Sequence, residues 1–199
     1  LLGDGYRAVI LAVGSAPGRR PEIPGLPPEA ALDAARLVAE AAGGGRPRLG
    51  RRVGVLAAPG AVVAGMAAAR VARRCGAEHV VLVVSASRAD LPLDEEDLAG
   101  AARDGVEVIC EGSVIRASRT DDGWALEVGE GGGGDFAQRT QRTQRVVDTV
   151  VVAAPRRVDV GGAALRRGPT GTVAVDPTTL ETSVARVFAA GECSAGPRG

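Results

Sequence analysis

Lysine is missing altogether: every one of the 24 basic residues is arginine. Schiff-base and lysine-nucleophile chemistry are thereby excluded. Aromatic residues are only 2% of the 199-residue chain, so a core has to be built from Val, Ala, Leu and Ile. There is one histidine, His79, at the start of an apolar run, and no Ser-His-Asp constellation can be assembled around it. No apolar run approaches the roughly 18 residues that a membrane-spanning helix needs. The stretch Ala8–Val13, followed by Gly and Pro, is too short for a signal peptide. Formal net charge is zero, without the basic excess of a nucleic-acid binder. Cys75, Cys110 and Cys193 lie far apart with no C-x-x-C pair, so neither a dithiol centre nor a zinc site is suggested. Isolated thiols point to a reduced, cytoplasmic protein. The chain starts on Leu and ends on Gly-Pro-Arg-Gly, which suggests a piece of something longer.

What is present alternates. Tyr6–Val13 reads as a buried strand ending at Gly14. Residues Ser15–Pro28, rich in Pro, Gly and Arg, read as an extended linker. Glu29–Ala42 is Ala-rich and predicts one helix, stopped by Gly43-Gly44-Gly45. Arg52–Leu56 predicts a strand, Gly60–Cys75 a helix of small residues, His79–Val84 a central parallel strand, Asp94–Asp104 an acid-capped helix and Val106–Cys110 a third strand. That order predicts right-handed crossovers and a parallel sheet. The pattern then changes. Ser113–Arg119 and Trp124–Val128 form a hairpin signal around Asp121-Asp122-Gly123, with Trp124 packing the hairpin. A glycine tract over Glu130–Gly134 and the QRT repeat of Gln138–Arg145 read as solvated loop or strand extension. Val146–Ala154, Gly171–Val175 and Val187–Ala190 predict further strands.

A strand, a glycine turn and a helix in that order suit a dinucleotide. The first turn of a helix presents partial positive charge and unpaired N–H groups to a pyrophosphate. The fingerprint is G-x-G-x-x-G, with glycines for the turn, the phosphate approach and helix–strand packing. Here Gly60 and Gly65 take the first and third places and Val62 the second. A valine side chain is expected to crowd the phosphates there. The same small residues also suit plain close packing of a helix on a sheet.

Four stretches resemble one family. Tyr6–Gly14 with Ile23-Pro24-Gly25, Arg51–Ala77 ending in ARVARRCGA, Val83–Pro92 with Glu95–Val106, and Val173–Glu192 (VAVDPTTLETSVARVFAAGE) together span nearly the whole chain. They resemble the glutamate synthase small-subunit family, flavoproteins related to the pyridine nucleotide-disulfide oxidoreductases but without a redox disulfide. The resemblance implies an α/β fold: a Rossmann-type parallel sheet with an antiparallel hairpin or meander, and partial flavin-domain strands at both ends. It implies a flavin-domain segment and linker helix over 1–45, an NAD(P)H-binding domain over 46–160 and a returning flavin segment over 161–199. It implies that NADP or NAD passes hydride to FAD, and that electrons go on to an iron–sulfur or glutamate-synthase-like partner subunit. FAD is expected only in a full-length protein, since the first βαβ unit that holds its pyrophosphate is not in this chain, which should purify colourless. No nucleic acid or membrane is implied; a homodimer is compatible.

Carried over residue by residue, Gly60, Val62 and Gly65 face the pyrophosphate, Ser85 and Arg88 the adenosine ribose, Pro155 the turn after a later strand, and Gly14, Gly191 and Glu192 the flavin. Several positions depart from the family pattern. Ala57-Ala58-Pro59 looks inserted, Val62 replaces a glycine, Ser85-Ala86 replaces an arginine pair, Pro155 replaces a glycine and Glu192 an aspartate. Together they raise an alternative: a structural or assembly domain that keeps the fold without nucleotide.

Overall fold

The computed structural model of the chain describes residues 2–131, 141–168 and 171–196. In chain order the elements are β1 (Val9–Leu11), β2 (Ala16–Pro17), β3 (Ala31–Asp33), α1 (Ala34–Ala42), β4 (Arg52–Ala57), α2 (Val62–Arg74), β5 (His79–Val84), α3 (Glu95–Arg103), β6 (Val106–Ile109), β7 (Gly112–Thr120), β8 (Gly123–Glu130), β9 (Gln141–Val147), β10 (Thr149–Ala153), β11 (Arg156–Arg157), β12 (Val187–Ala189) and α4 (Glu192–Ala195). They fall into two compact units, an outer one of Leu1–Gly18 with Arg156–Gly199 and a central one of Arg19–Pro155. Residues 19–45, expected with a flavin-domain segment, group here with the central unit, where β3 pairs with β10 and α1 packs on α2.

The central unit is built on a five-stranded sheet in the order β3-β10-β4-β5-β6, with every pair parallel. Both faces are covered, which is why its strands are nearly unbroken runs of Val and Leu. One face packs on α1, α2 and α3 through Leu37, Val55, Met66, Leu82 and Leu98. The other face packs on the antiparallel sheet β7-β8-β9 through Leu56, Val83, Val150, Trp124, Leu126 and Val128. Each fully buried Val or Leu contributes roughly 1.5–3 kcal/mol. Helix-capping works as the acid-rich starts predict: Asp94 accepts from the Asp97 amide at 2.8 Å. Trp124 is buried in the hairpin, with the Arg119 guanidinium 5.3 Å from its ring centre.

Two expected elements of this unit change. The helix expected over Glu29–Ala42 begins only at Ala34. Residues Ala31–Asp33 instead form β3, an edge strand on β10, and Asp33 caps α1 by accepting from the Arg36 amide at 2.9 Å. Sheet pairing overrides alanine's helix preference there. The strand expected over Val146–Ala154 is two, β9 and β10, separated at Asp148. That carboxylate accepts from the backbone N–H groups of Arg51 (2.8 Å) and Arg52 (2.9 Å), and from the Arg52 guanidinium. The chain thereby passes from the antiparallel layer into the parallel one. The glycine tract and the first part of the QRT repeat lie outside the described residues, while Gln141–Arg145 belong to β9.

In the outer unit β1 pairs in parallel with β12, and β2 pairs antiparallel with β11. The expected strand over Gly171–Val175 is reduced to isolated bridges, Val173 to Arg167 and Val175 to Thr182. The linker expected over Ser15–Pro28 contains β2, and α4 is a short helix that no propensity pattern announced.

Candidate functional site

Strand β4 ends at Ala57, and Ala58-Pro59-Gly60-Ala61 carry the chain to α2. The Ala61 amide donates to the Ala58 carbonyl at 2.9 Å, closing a turn. Gly60 has φ +78, which a side chain disfavours. Ala61 offers no side-chain cap, and the first helical bond is from Gly65 N–H to the Ala61 carbonyl. Among the described residues the N–H groups of Val62, Val63 and Ala64 have no acceptor. The positive end of a four-turn helix is therefore open.

Val62 was expected to obstruct this space. It does not: only 5% of it is exposed, and its side chain belongs to the core beneath the helix. Val63 is the partly exposed one, at 36%. Gly65 is a packing glycine. A Cβ there would lie 2.8 Å from Ala57 Cβ and 3.1 Å from Leu82 Cδ1, so α2 can approach the sheet this closely only without one. Pro155, after β10, stands beside the turn, 3.7 Å from where a Gly60 Cβ would be. The structure thus brings Gly60, Val62, Gly65 and Pro155 together at the C-terminal ends of β4 and β10, where ligands of parallel α/β sheets bind.

The end of β5 is different. Ser85 is exposed and lines a cavity beside the turn. Arg88 is exposed, but its guanidinium is held 2.9 Å from Glu95. Ser87 caps the short helix that follows and bonds to Asp90. The polar groups at this end largely bind one another. Cys110, nearby, is no poised nucleophile: burial pushes its thiol up, with Arg88 opposing.

In the outer unit, Gly14 (φ +64) follows β1 and Gly191 (φ +74) follows β12. Neither has an atom within 4 Å of its Cβ position, so both ends are open to a close-lying group. Glu192 is already engaged. The Ser15 hydroxyl donates to its Oε2 at 2.5 Å, while Arg156 donates from Nε to Ser15 Oγ at 2.7 Å. Arg156 also bonds the Ser15 carbonyl. The Cys193 thiol is fully buried and faces the carbonyls of Leu11 (3.1 Å) and Ala190 (3.0 Å), a packing role. Sequence reasoning missed Arg156 and Ser15, since three distant segments meet only on folding. Among the described residues no cluster of His, Cys, Asp and Glu is disposed to hold a metal, and no helix is long and apolar enough to cross a membrane.

A parallel α/β sheet with a glycine turn at its C-terminal edge, backed by a three-stranded antiparallel layer, defines a Rossmann-type oxidoreductase fold. The chain belongs to the pyridine nucleotide-disulphide oxidoreductase family, whose model matches residues 4–198. Among solved structures it is similar to the HOCl-induced flavoprotein disulfide reductase RclA from Escherichia coli, with TM-score 0.67 and 19% identity over 96% of this chain and 41% of that one. It is similar to the water-forming NADH oxidase from Lactobacillus brevis bound to NADH, with TM-score 0.64 and 17% identity over 95% of this chain and 40% of that one. The thioredoxin reductase of T. acidophilum aligns with TM-score 0.70 and 14% identity over 96% of this chain and 58% of that one. The chain therefore spans less than two thirds of each of these neighbours. No curated protein sequence matches it.

Proposed function

We propose that the central unit binds a nicotinamide dinucleotide, NADH or NADPH, as part of a flavin-dependent oxidoreductase of the glutamate synthase small-subunit type. The observation that carries this is the open first turn of α2: Gly60 in a left-handed conformation, Val62 turned into the core, and N–H groups at Val62–Ala64 without acceptors. Two linked phosphates supply the missing acceptors and meet the positive helix end. The residues present fit such a group, because the Val62 side chain lies in the core and not over the turn.

When bound, the reduced nicotinamide supplies a hydride and FAD accepts it. The chain's own part is positioning. Gly60 and the Val62 backbone hold the phosphates, Gly65 lets the helix lie close, and Pro155 borders the turn. Ser85 and Arg88 flank the adenosine ribose. In the outer unit Gly14 and Gly191 leave room for flavin, and Glu192, steadied by Ser15, presents its carboxylate. The L. brevis neighbour bound to NADH, and its engineered variant bound to NADPH, support a nicotinamide dinucleotide as the ligand. We place the whole protein in the cytoplasm, passing electrons to an iron–sulfur or glutamate-synthase-like partner subunit, with a homodimer as its own assembly.

Calorimetric titration with NADH and NADPH tests the nucleotide site. Val63→Glu puts a carboxylate at the open turn. An acid there suits the helix, so folding survives, while dinucleotide affinity falls about tenfold or more. A second reading, a domain that keeps the architecture without nucleotide, is favoured by one observation: Arg88 is committed to Glu95. Absence of binding by the unaltered chain at millimolar cofactor selects that reading.

A further inference from the structure

At the end of α2 away from the Gly60 turn, the C-termini of α1 and α2 enclose a groove of about 810 Å³ within the central unit. Its floor is aliphatic: Val38 and Ala41 of α1 are half-buried against the core, and Val71 of α2 is almost fully buried. Both helices run out into left-handed glycines, Gly44 (φ +85) and Gly76 (φ +100). Nothing lies within 4 Å of either Cβ position, so bare backbone forms the walls there. Arg46 and Arg74 also line the groove, both exposed and without an ion-pair or hydrogen-bond partner among the described residues. Among those residues no acid lines it. Three other arginine-lined cavities differ in this respect: Glu22 lines the one at Arg19 and Arg20, and Glu78, Asp148 and Glu107 line those at Arg51, Arg52 and Arg145.

We propose that this groove binds a monoanionic aliphatic carboxylate, a fatty-acid-like chain lying along Val38, Ala41 and Val71 with its carboxylate at Arg46 and Arg74. The volume suits a small organic ligand, for which roughly 300–1,000 Å³ is usual. Charge selects the head group. Arg46 and Arg74 each bring a full positive charge, and each helix C-terminus offsets about half of one. About one positive charge remains, enough for a carboxylate and short of a dianionic phosphate. A guanidinium also presents paired N–H donors that match a carboxylate. Each methylene buried on the aliphatic floor strengthens binding by up to about fourfold. The site does not depend on the dinucleotide reading, because Gly60 opens the opposite end of the 13-residue α2, about 20 Å along its axis.

Octanoate titrated into the full chain, followed by amide NMR shifts, tests this. Saturable shifts are expected at Val38, Ala41, Gly44, Val71 and Gly76, with no displacement by NADH. Butanoate, whose chain is half as long, should bind about tenfold more weakly or worse. Octanol and octyltrimethylammonium should each bind about fivefold more weakly, and octyl phosphate no more tightly than octanoate. Arg46→Gln and Arg74→Gln alter exposed groups without partners, so both should fold. Each should weaken octanoate about threefold and leave octanol unchanged. Shifts that never saturate or that fall outside the groove, octanol or octyl phosphate binding more tightly than octanoate, displacement by NADH, or parental octanoate affinity in both variants each overturns the proposal. An Arg74 that serves only to neutralise the end of α2 would lower the melting temperature of Arg74→Gln without moving octanoate affinity, and this too counts against it. The ligand series on the unaltered chain decides the matter even if a variant fails to fold.

Discussion

The two edges of the central sheet differ in how far their polar groups are satisfied. At the N-terminal edge most are satisfied by partners within the chain, although the Arg145 Nε is buried without one. Asp148 receives the Arg51 and Arg52 amides and the Arg52 guanidinium; Arg51 bonds Glu78 at 2.5 Å; Arg145 bonds Glu107 at 2.8 Å. At the C-terminal edge the amides of Val62–Ala64 and the Ser113 hydroxyl are left without partners. The first is the more fully paired end and the second the more open one, although Arg88 and Ser87 after β5 are paired. Satisfied groups hold a fold together, whereas the unsatisfied amides are available to a ligand, so stability and dinucleotide binding are expected to respond to substitutions at opposite ends.

The comparison is broken most severely by closing the open end from below. Gly65→Val should destabilise the chain by about 3 kcal/mol, because a Cβ has 2.8 Å to Ala57 and the extra methyls have nowhere to go. Urea denaturation measures it, and a loss under 1 kcal/mol would show that α2 can lift off the sheet. Asp148→Ala at the more fully paired end should cost about 2 kcal/mol, mainly from two orphaned backbone amides and not from its half-exposed ion pair. It should leave cofactor affinity untouched.

That second substitution carries a pH signature. The Arg52 guanidinium bonded to Asp148 holds its carboxyl below the ordinary 3.8, the Arg52 and Arg51 amides add to this, and burial opposes it. A depressed folded-state pKa contributes stability above pH 3.8, which is lost as pH falls through the folded value. The gap between parent and Asp148→Ala should therefore be constant near neutrality and close in acid. A gap that widens in acid rules out this role for Asp148.

The smallest expected effect sharpens the open end. Glu95→Ala releases Arg88 for a 2′-phosphate. The parent should bind NADPH no more tightly than NADH, and the variant should shift that ratio toward NADPH about threefold (~0.6 kcal/mol). An unchanged ratio means Arg88 does not reach the ribose.

Much of the fold was legible. His79–Val84 is a strand over the full predicted span, and Asp94 and Asp104 sit at the two caps of the predicted helix. Parallel strands buried on both faces need apolar runs, and helix ends need particular side chains, so both leave marks in sequence. Of the site, the glycine turn and the packing role of Gly65 were visible as spacing. The direction of Val62 was not: one position on a helix start decides between core and cleft, and a pattern of small apolar residues on both sides does not distinguish them. Ser113 left no signal either, because the bulge that follows it cancels the two-residue alternation by which strand faces are read.

Local chemistry was enough to settle the alternation of strands and helices, the parallel sheet and the turn that opens α2, because propensity, burial and turn geometry act over a few residues. Which groups remained unpaired was decided only by tertiary structure. Asp148 meets Arg51 and Arg52, Arg156 meets Ser15 and Glu192, and Ser113 meets no polar partner, across gaps in sequence that no local rule spans. Hydrogen bonding is satisfied in three dimensions, so its exceptions appear only there.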